Sequence, residues 1–308
     1  TVALSGSAQA VAEALGGTFA SGGSYTGNVT LSDGVGADVT ATHITDINDA
    51  NGSGTITVTS AVDLNGSGQE IEAAMDAINT MNASTTANIT GTNYTLTQVK
   101  NINNSTNGAI VLADTTTVAF SGDATDIAAA LAGTITYTGD VTITDSNYTV
   151  TELKAINAKT TGTITFSDPA VALSGDATDL AVALAGTTNH NGAVTVTNAS
   201  DYTITELKVI NAGTSGAITF QDTTVALSGD ATDLAVALAG TTNHNGAVTV
   251  TNASAYTATE LQTINNGTSG TISLDDTTVA LSGSGTVVAA ALDGTFANGK
   301  GHTGAVEV

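Results

Sequence analysis

The chain has 308 residues, with five basic side chains, all lysine, against 28 acidic ones, a formal charge of −23, and no cysteine. So few cations cannot neutralise a phosphate backbone or an anionic bilayer, which excludes nucleic acid and acidic membrane surfaces as partners. The missing thiol excludes disulfides, thiolate nucleophiles and cysteine-ligated metal, and no run of about 18 apolar residues predicts a membrane-inserting helix.

In chain order, one phrase keeps returning. It opens at Val2 (VALSGSAQAVAEALGG), Val62 (VDLNGSGQEIEAAM), Val118 (VAFSGDATDIAAALAG), Val171, Val225 and Val279. The stretch Val171–Asp222 recurs almost letter for letter at Val225–Asp276, a spacing of 225 − 171 = 54. Self-similarity at a fixed period predicts stacked units that bury their apolar faces only against neighbours. Residues 1–308 therefore read as a single elongated array, with repeats near 2–61, 62–117, 118–170, 171–224, 225–278 and a partial copy at 279–308.

Each period divides into two coils of strand, turn, short strand and helix. In the copy from Ala193, Val194/Val196 and Ile218/Phe220 alternate with Thr195 and Thr219, the period-two pattern of a strand with one buried face. Second strands are expected at Tyr202/Ile204 and Val225/Leu227. Thr203-Ile-Thr-Glu206 has the form of a capping box, and Asp230 and Asp233 place two acids where a helix begins. Gly213 and Gly240 are expected to stop these helices in the left-handed conformation. The alanine-rich run from Leu234 would let successive helices approach closely. Tyr94, Tyr148, Tyr202 and Tyr256 fall one per period, as do Ile102, Ile156, Ile210 and Ile264, each followed by asparagine.

Crossovers between parallel strands are right-handed, so every helix is expected on one side of the sheets. The predicted fold class is α/β: a repeat solenoid of stacked strand-turn-strand-helix coils, two per repeat, with parallel sheets on one side and short helices on the other. At roughly 4.8 Å per coil, about eleven coils make a rod on the order of 50 Å long. An immunoglobulin-like tandem is the competing fold, but the period is too short for that sandwich. One glycine-rich region, Ser21 to Asp38, departs from the pattern, and the only proline, Pro169, stands between two strands.

Residues 1–29 match 278–306 better than either matches an internal copy, an offset of 278 − 1 = 277. Two readings follow: a slice of a much longer protein, or ends built to stack head to tail. Both predict an open, non-closing assembly, the second through head-to-tail self-association.

Three rows of side chains are candidates for chemistry. His190, His244 and His302 share one turn position with Tyr25 and Tyr137, which points to a turn side chain rather than a metal ligand. Asp114, Asp168, Asp222 and Asp276 follow the first strand of one coil type, and Asp33, Asp145, Asn198 and Asn252 hold the matching place in the other. Side chains bonding backbone two residues on explain all of them. The functional reading is calcium, a hard cation on stacked oxygen ligands, although the glycine-rich nonapeptide of calcium β-rolls is absent. Asp123/Asp126, Asp176/Asp179 and Asp230/Asp233 read as helix starts. Thr30, Thr57, Thr90, Thr142, Thr165, Thr195, Thr219 and Thr249 form an expected outward ladder, interrupted at Val111 and Ser273, that would serve as an ice- or glycan-binding face. Thr also simply suits an exposed strand position. No catalytic constellation stands out, and neither a nucleophile elbow nor a phosphate loop occurs.

The units VALSGDATDLAVALAG and YTITELKVINAGTSGAITF resemble the repeats of giant surface-exposed proteins of marine cyanobacteria and other Gram-negative bacteria, over essentially all 308 residues. That resemblance implies an extracellular structural, adhesive or matrix role with no catalytic residues to carry over. The expected function is a secreted filament, stalk or matrix segment, not an enzyme, whose partners are further copies of itself, glycans or other surface components. An adhesin or ice-binding module using the threonine ladder is the alternative.

Overall fold

The repeated cap chemistry sets the helices. The computed structural model describes residues 2–17, 24–197, 202–251 and 256–308; Asn198, Asn252 and the first part of the glycine-rich region, from Ser21 to Gly23, lie outside them. It divides into unit 1, Thr1–Ile143 with Lys159–Thr163, and unit 2, Thr144–Ala158 with Ile164–Val308. Unit 1 holds α1 (Ala8–Leu15), α2 (Ala41–Ala50), α3 (Gly68–Ala77), α4 (Leu96–Ser105) and α5 (Ala124–Leu131). Unit 2 holds α6 (Val150–Asn157), α7 (Ala177–Leu184), α8 (Ile204–Gly213), α9 (Ala231–Leu238), α10 (Ala258–Gly267) and α11 (Gly285–Leu292). The unit 2 helices begin at Val150, Ala177, Ile204, Ala231, Ala258 and Gly285, in even steps of 177 − 150 = 27, half the sequence period.

Reciprocal capping boxes open α3, α4, α6, α8 and α10, with Thr203 and Glu206 satisfying each other's N–H groups at α8. Asp176 and Asp230 cap α7 and α9 by accepting from the N–H groups of Asp179 and Asp233. Burial raises the Glu206 pKa, but hydrogen bonds from Thr178 and Thr203 outweigh it and hold the carboxyl below its ordinary value. Its contribution is present above an unfolded value near 4.5 and is lost as pH falls through the folded one. Thr203→Ala removes the hydroxyl half of the box and is expected to cost about 1 kcal/mol in thermal unfolding. These helices have only eight or ten residues, too few to persist alone, so packing must hold them. Within each unit every helix packs on the next, α1 through α5 and α6 through α11.

The strands pair in parallel throughout, which rules out the antiparallel sandwich, and among the described residues no sheet closes into a barrel. The protein is an α/β fold of alternating strands and helices. Unit 1 carries one four-stranded sheet of Leu4–Gly6, Val29–Leu31, Ile56–Val58 and Thr80–Met81, and another of Asp38–Thr40, Asp63–Gly66, Thr86–Ile89 and Ile110–Leu112. Unit 2 carries Leu173–Gly175, Val194–Val196 and Ile218–Phe220 in one sheet, and Leu227–Gly229, Val248–Val250 and Ile272–Leu274 in the next.

These small sheets correct the expected ladder. Leu173 faces Val194, which faces Ile218, and Ile218 then bridges to Thr241. Each of these steps along the chain is shorter than the even step between helix starts, the first being 194 − 173 = 21. Pairing therefore slips backwards along each coil until the sheet runs out, and a new one starts at Leu227. The short strand expected at Val225/Leu227 is displaced to Leu227–Gly229, and none forms at Tyr202/Ile204, because Ile204 is already the first helical residue. Gly240 has φ +74° as expected, but Gly213 is not among the positive-φ glycines. Its glycine answers to packing: a Cβ there would stand 2.4 Å from the Leu184 carbonyl oxygen, where α8 crosses the end of α7.

The core fills from both layers. Val194, Val196, Ile218 and Phe220 on the strands and Leu207, Ile210, Leu234 and Leu238 on the helices are all buried. The alanines of α9 bury as well, and Gly267 approaches Leu238 just as Gly213 approaches Leu184, which bears out close helix contact on that side.

Candidate functional site

The aspartate row lies where a buried tyrosine meets a turn. Tyr148, Tyr202 and Tyr256 donate to the backbone carbonyls of Asp168, Asp222 and Asp276 at 3.0, 3.0 and 2.8 Å, and Tyr94 donates likewise to Asp114. Each hydroxyl thus ties a coil to the turn 20 residues on. The carboxylates are engaged within their own turns. Asp222 accepts Thr224 N–H at 2.9 Å and its hydroxyl at 2.7 Å, Asp276 does the same with Thr278, and Asp168 accepts from Ala170 N–H. Asp114 takes the N–H and hydroxyl groups of both Thr116 and Thr117. These bonds hold the Asp114 and Asp276 carboxyls below the usual carboxylate range.

That is the geometry of a side chain capping its own turn. Among the described residues no three histidine, aspartate or glutamate side chains gather into a group able to hold a metal. Since a ligand bound to the native state must raise apparent stability, the thermal midpoint is expected to stay the same with and without a chelator. A drop on chelation would restore calcium at Asp114, Asp168, Asp222 or Asp276.

The helix-start aspartates do second work. Lys100 meets Asp126 at 2.9 Å, and Lys154–Asp179 and Lys208–Asp233 repeat the pair in unit 2. Each pair joins consecutive helices, but side chains a quarter to a half exposed make such bridges worth little energetically. Asp33 bonds the N–H of Ala8 at 2.9 Å, at the start of α1.

The threonines form rows, but not one row. In unit 1 Ser5, Thr30, Thr57 and Thr80 stand opposite one another in successive strands, and Thr142 stands opposite Ser121. In unit 2 Ser174, Thr195 and Thr219 form one row, with the last two hydroxyls 3.1 Å apart, and Ser228, Thr249 and Ser273 another. Thr165 is the central residue of Ile164–Phe166. The expected run from Thr219 to Thr249 is broken by the slip in pairing. Thr90 falls outside its strand, whose outward position is Asn88, opposite Asn65 and Val111. Thr30, Thr57, Thr142, Thr165, Thr195, Thr219 and Thr249 are half-buried and Thr80 is exposed, so most row positions present hydroxyl and methyl edges rather than a fully exposed plane.

Unlike an ordinary turn side chain, the shared histidine/tyrosine position is buried at Tyr137, His190 and His244, and half-buried at Tyr25 and His302. His190 and His244 are 2% and 1% exposed. His190 Nε2 lies 3.0 Å from the Val171 carbonyl oxygen and His244 Nε2 2.9 Å from that of Val225. A carbonyl only accepts, so Nε2 carries the proton, and Nδ1 accepts from Thr214 or Thr268 at 2.8 Å. Tyr137 puts its hydroxyl 2.7 Å from the Val118 carbonyl oxygen, Tyr25 reaches Val2, and His302 reaches Val279 at 2.7 Å. Imidazole and phenol are interchangeable here because both carry an N–H or O–H to the same valine. The Thr214–His190 contact has the atoms of a nucleophile and a base, but both are buried and a backbone carbonyl stands where an orienting carboxylate would.

The surface also carries grooves. One of about 440 Å³, lined by Leu184, Val209, Ala212 and Val236, recurs one period later at about 240 Å³ beside Leu238 and Asn266. Another of about 550 Å³ in unit 1 is lined by Glu13, His43, Asp46 and Asp49. No helix among the described residues is long and apolar enough to cross a membrane. No family model, curated protein or solved structure matches the chain.

Proposed function

We propose that this protein is an extracellular structural repeat, a segment or subunit of a surface filament, stalk or matrix fibre, in which each unit is built as a solenoid of stacked strand-turn-strand-helix coils. The observation that carries the reading is where the polar groups go. Tyrosine hydroxyls, histidine nitrogens and lysine ammonium groups are each directed at a neighbouring coil, and the same set returns with the period. Chemistry devoted to joining neighbours is what a repeat array needs, because such an array is stable only through its interfaces.

A chain of this kind continues or self-associates end to end, and no residue of it is assigned to catalysis. Electron microscopy of the purified protein and of its parent is expected to show fibres or an extended chain. Short monodisperse particles with no longer parent would overturn the reading.

The threonine rows favour one alternative, an adhesin or ice-binding module, through the regular spacing of Thr30, Thr57 and Thr80 and the Thr195–Thr219 contact. If that is the function, the protein inhibits ice recrystallisation and Thr195→Leu with Thr249→Leu abolishes the effect. Absence of inhibition in the parent removes the ice version.

A further inference from the structure

The two units solve one packing problem with different chemistry. At the position that reaches back to the repeated valine, unit 1 uses Tyr25 and Tyr137, whereas unit 2 uses His190, His244 and His302. The threonine beneath responds to the choice. With Tyr137 in place, the Thr160 hydroxyl donates to the Gly139 carbonyl at 2.7 Å. With His190, the equivalent Thr214 hydroxyl donates to Nδ1 at 2.8 Å and stands 3.4 Å from the Gly192 carbonyl. A tyrosine tip has no basic nitrogen, whereas the imidazole acceptor is a proton-binding site sealed inside the fold.

We infer that His190 and His244 make unit 2 loosen in mild acid at the turns they fill, a response unit 1 does not share. Protonation at Nδ1 turns an acceptor into a donor facing the Thr214 hydroxyl, which must then rotate towards carbonyls at 3.4 Å. It also places a charge among aromatic rings. Phe166 lies 5.6 Å and Tyr148 6.4 Å from the His190 ring, and Phe220 and Tyr202 flank His244 at 5.8 and 6.4 Å.

The titratable groups facing the rings offer no relief. Tyr148 faces His190, with the Asp168 and Asp145 charges acting on its phenol, and Tyr202 faces His244 with the Asp222 charge acting likewise. Thr214 and Val171 already occupy both nitrogens of His190, as Thr268 and Val225 do for His244, so no carboxylate bonds either ring. Burial lowers both histidines and outweighs the opposing hydrogen bond to Val171 or Val225. A folded imidazole that binds its proton less readily than the unfolded one contributes stability that is complete above about 6.5. That contribution is lost as pH falls from there through the folded value.

Amide hydrogen exchange on the full chain at pH 7.5 and 5.0, corrected for the intrinsic exchange rate, reads the two units separately. Protection in α7 to α9 is expected to fall severalfold at the lower pH, while α2 to α4 hold theirs. The double variant His190→Tyr with His244→Tyr copies the residue unit 1 already uses, so it keeps the fold and loses the acid response. Equal loss in both units, or the same loss in the double variant, would overturn the inference. So would imidazole proton resonances of His190 and His244 that titrate as those of free histidine do.

Discussion

Gly216→Ala is expected to remove about 4 kcal/mol from unit 2, a large share of what a domain of ordinary stability has. The reason is steric and local. A Cβ at Gly216 would stand 1.9 Å from the Gly192 carbonyl oxygen, 2.5 Å from its carbon and 2.7 Å from the Asn191 oxygen, all backbone atoms. None of these can swing aside, because Ile218 and Val194, each just beyond one of the two glycines, are paired strand to strand. Relief requires parting the strands, which breaks the ladder bonds and opens the core they cover. Gly192 has the same relation to the Val171 carbonyl at 2.0 Å, so the glycines form a column along which successive coils touch. The column returns at Gly246 and Gly270, and Gly270→Ala is expected to behave alike. Urea denaturation followed by circular dichroism measures the loss. The control is Gly299→Ala, at φ +72° with no heavy atom within 4 Å, which meets only backbone strain of about 1 kcal/mol. Equal losses at both positions would show that the column does not bear on stability.

That column was present in the sequence but carried no recognisable signal, because glycine before a strand reads first as turn chemistry. Elements with strong local causes were legible: Thr203 to Glu206 announced the start of α8, and the alternation around Thr195 and Thr219 announced strands. Register was not. Which strand faces which depends on how much chain each turn consumes, and pairing steps shorter than the step between helices divide the expected continuous ladder into short sheets. The same slip separates Thr249 from Thr219. The position held by Tyr25, Tyr137 and three of the histidines could be picked out by its periodicity, yet the burial of Tyr137, His190 and His244 could not, since a polar ring is buried only where a partner such as the Val171 carbonyl awaits it. The lysine–aspartate pairs had a periodic signal too, with Lys100, Lys154 and Lys208 falling one per sequence period.

Tyr148→Ala is expected to cost about 4 kcal/mol, and Tyr148→Phe about 1 kcal/mol. The two losses divide the residue's work. Tyr148 is 2% exposed and stacks on Phe166 with ring centroids 4.6 Å apart and planes 24° apart, so truncation to alanine empties a large buried site. Phenylalanine keeps that stack and leaves only the Asp168 carbonyl without its donor. Burial, with the Asp168 and Asp145 charges beside it, pushes the phenol well above its usual range, so the hydroxyl stays a donor at neutral pH. Hydrogen exchange on the alanine variant separates two architectures. In a stacked array, where each coil contacts only its neighbours, protection falls most in α6 and α7 and recovers towards α10. In a single cooperative domain it falls by the same amount throughout unit 2. A graded loss is the expected result, since consecutive helices pack pairwise from α6 to α11 and the polar bonds of each coil end on the next. A uniform loss would count against the solenoid and, with it, against the structural role proposed for the array.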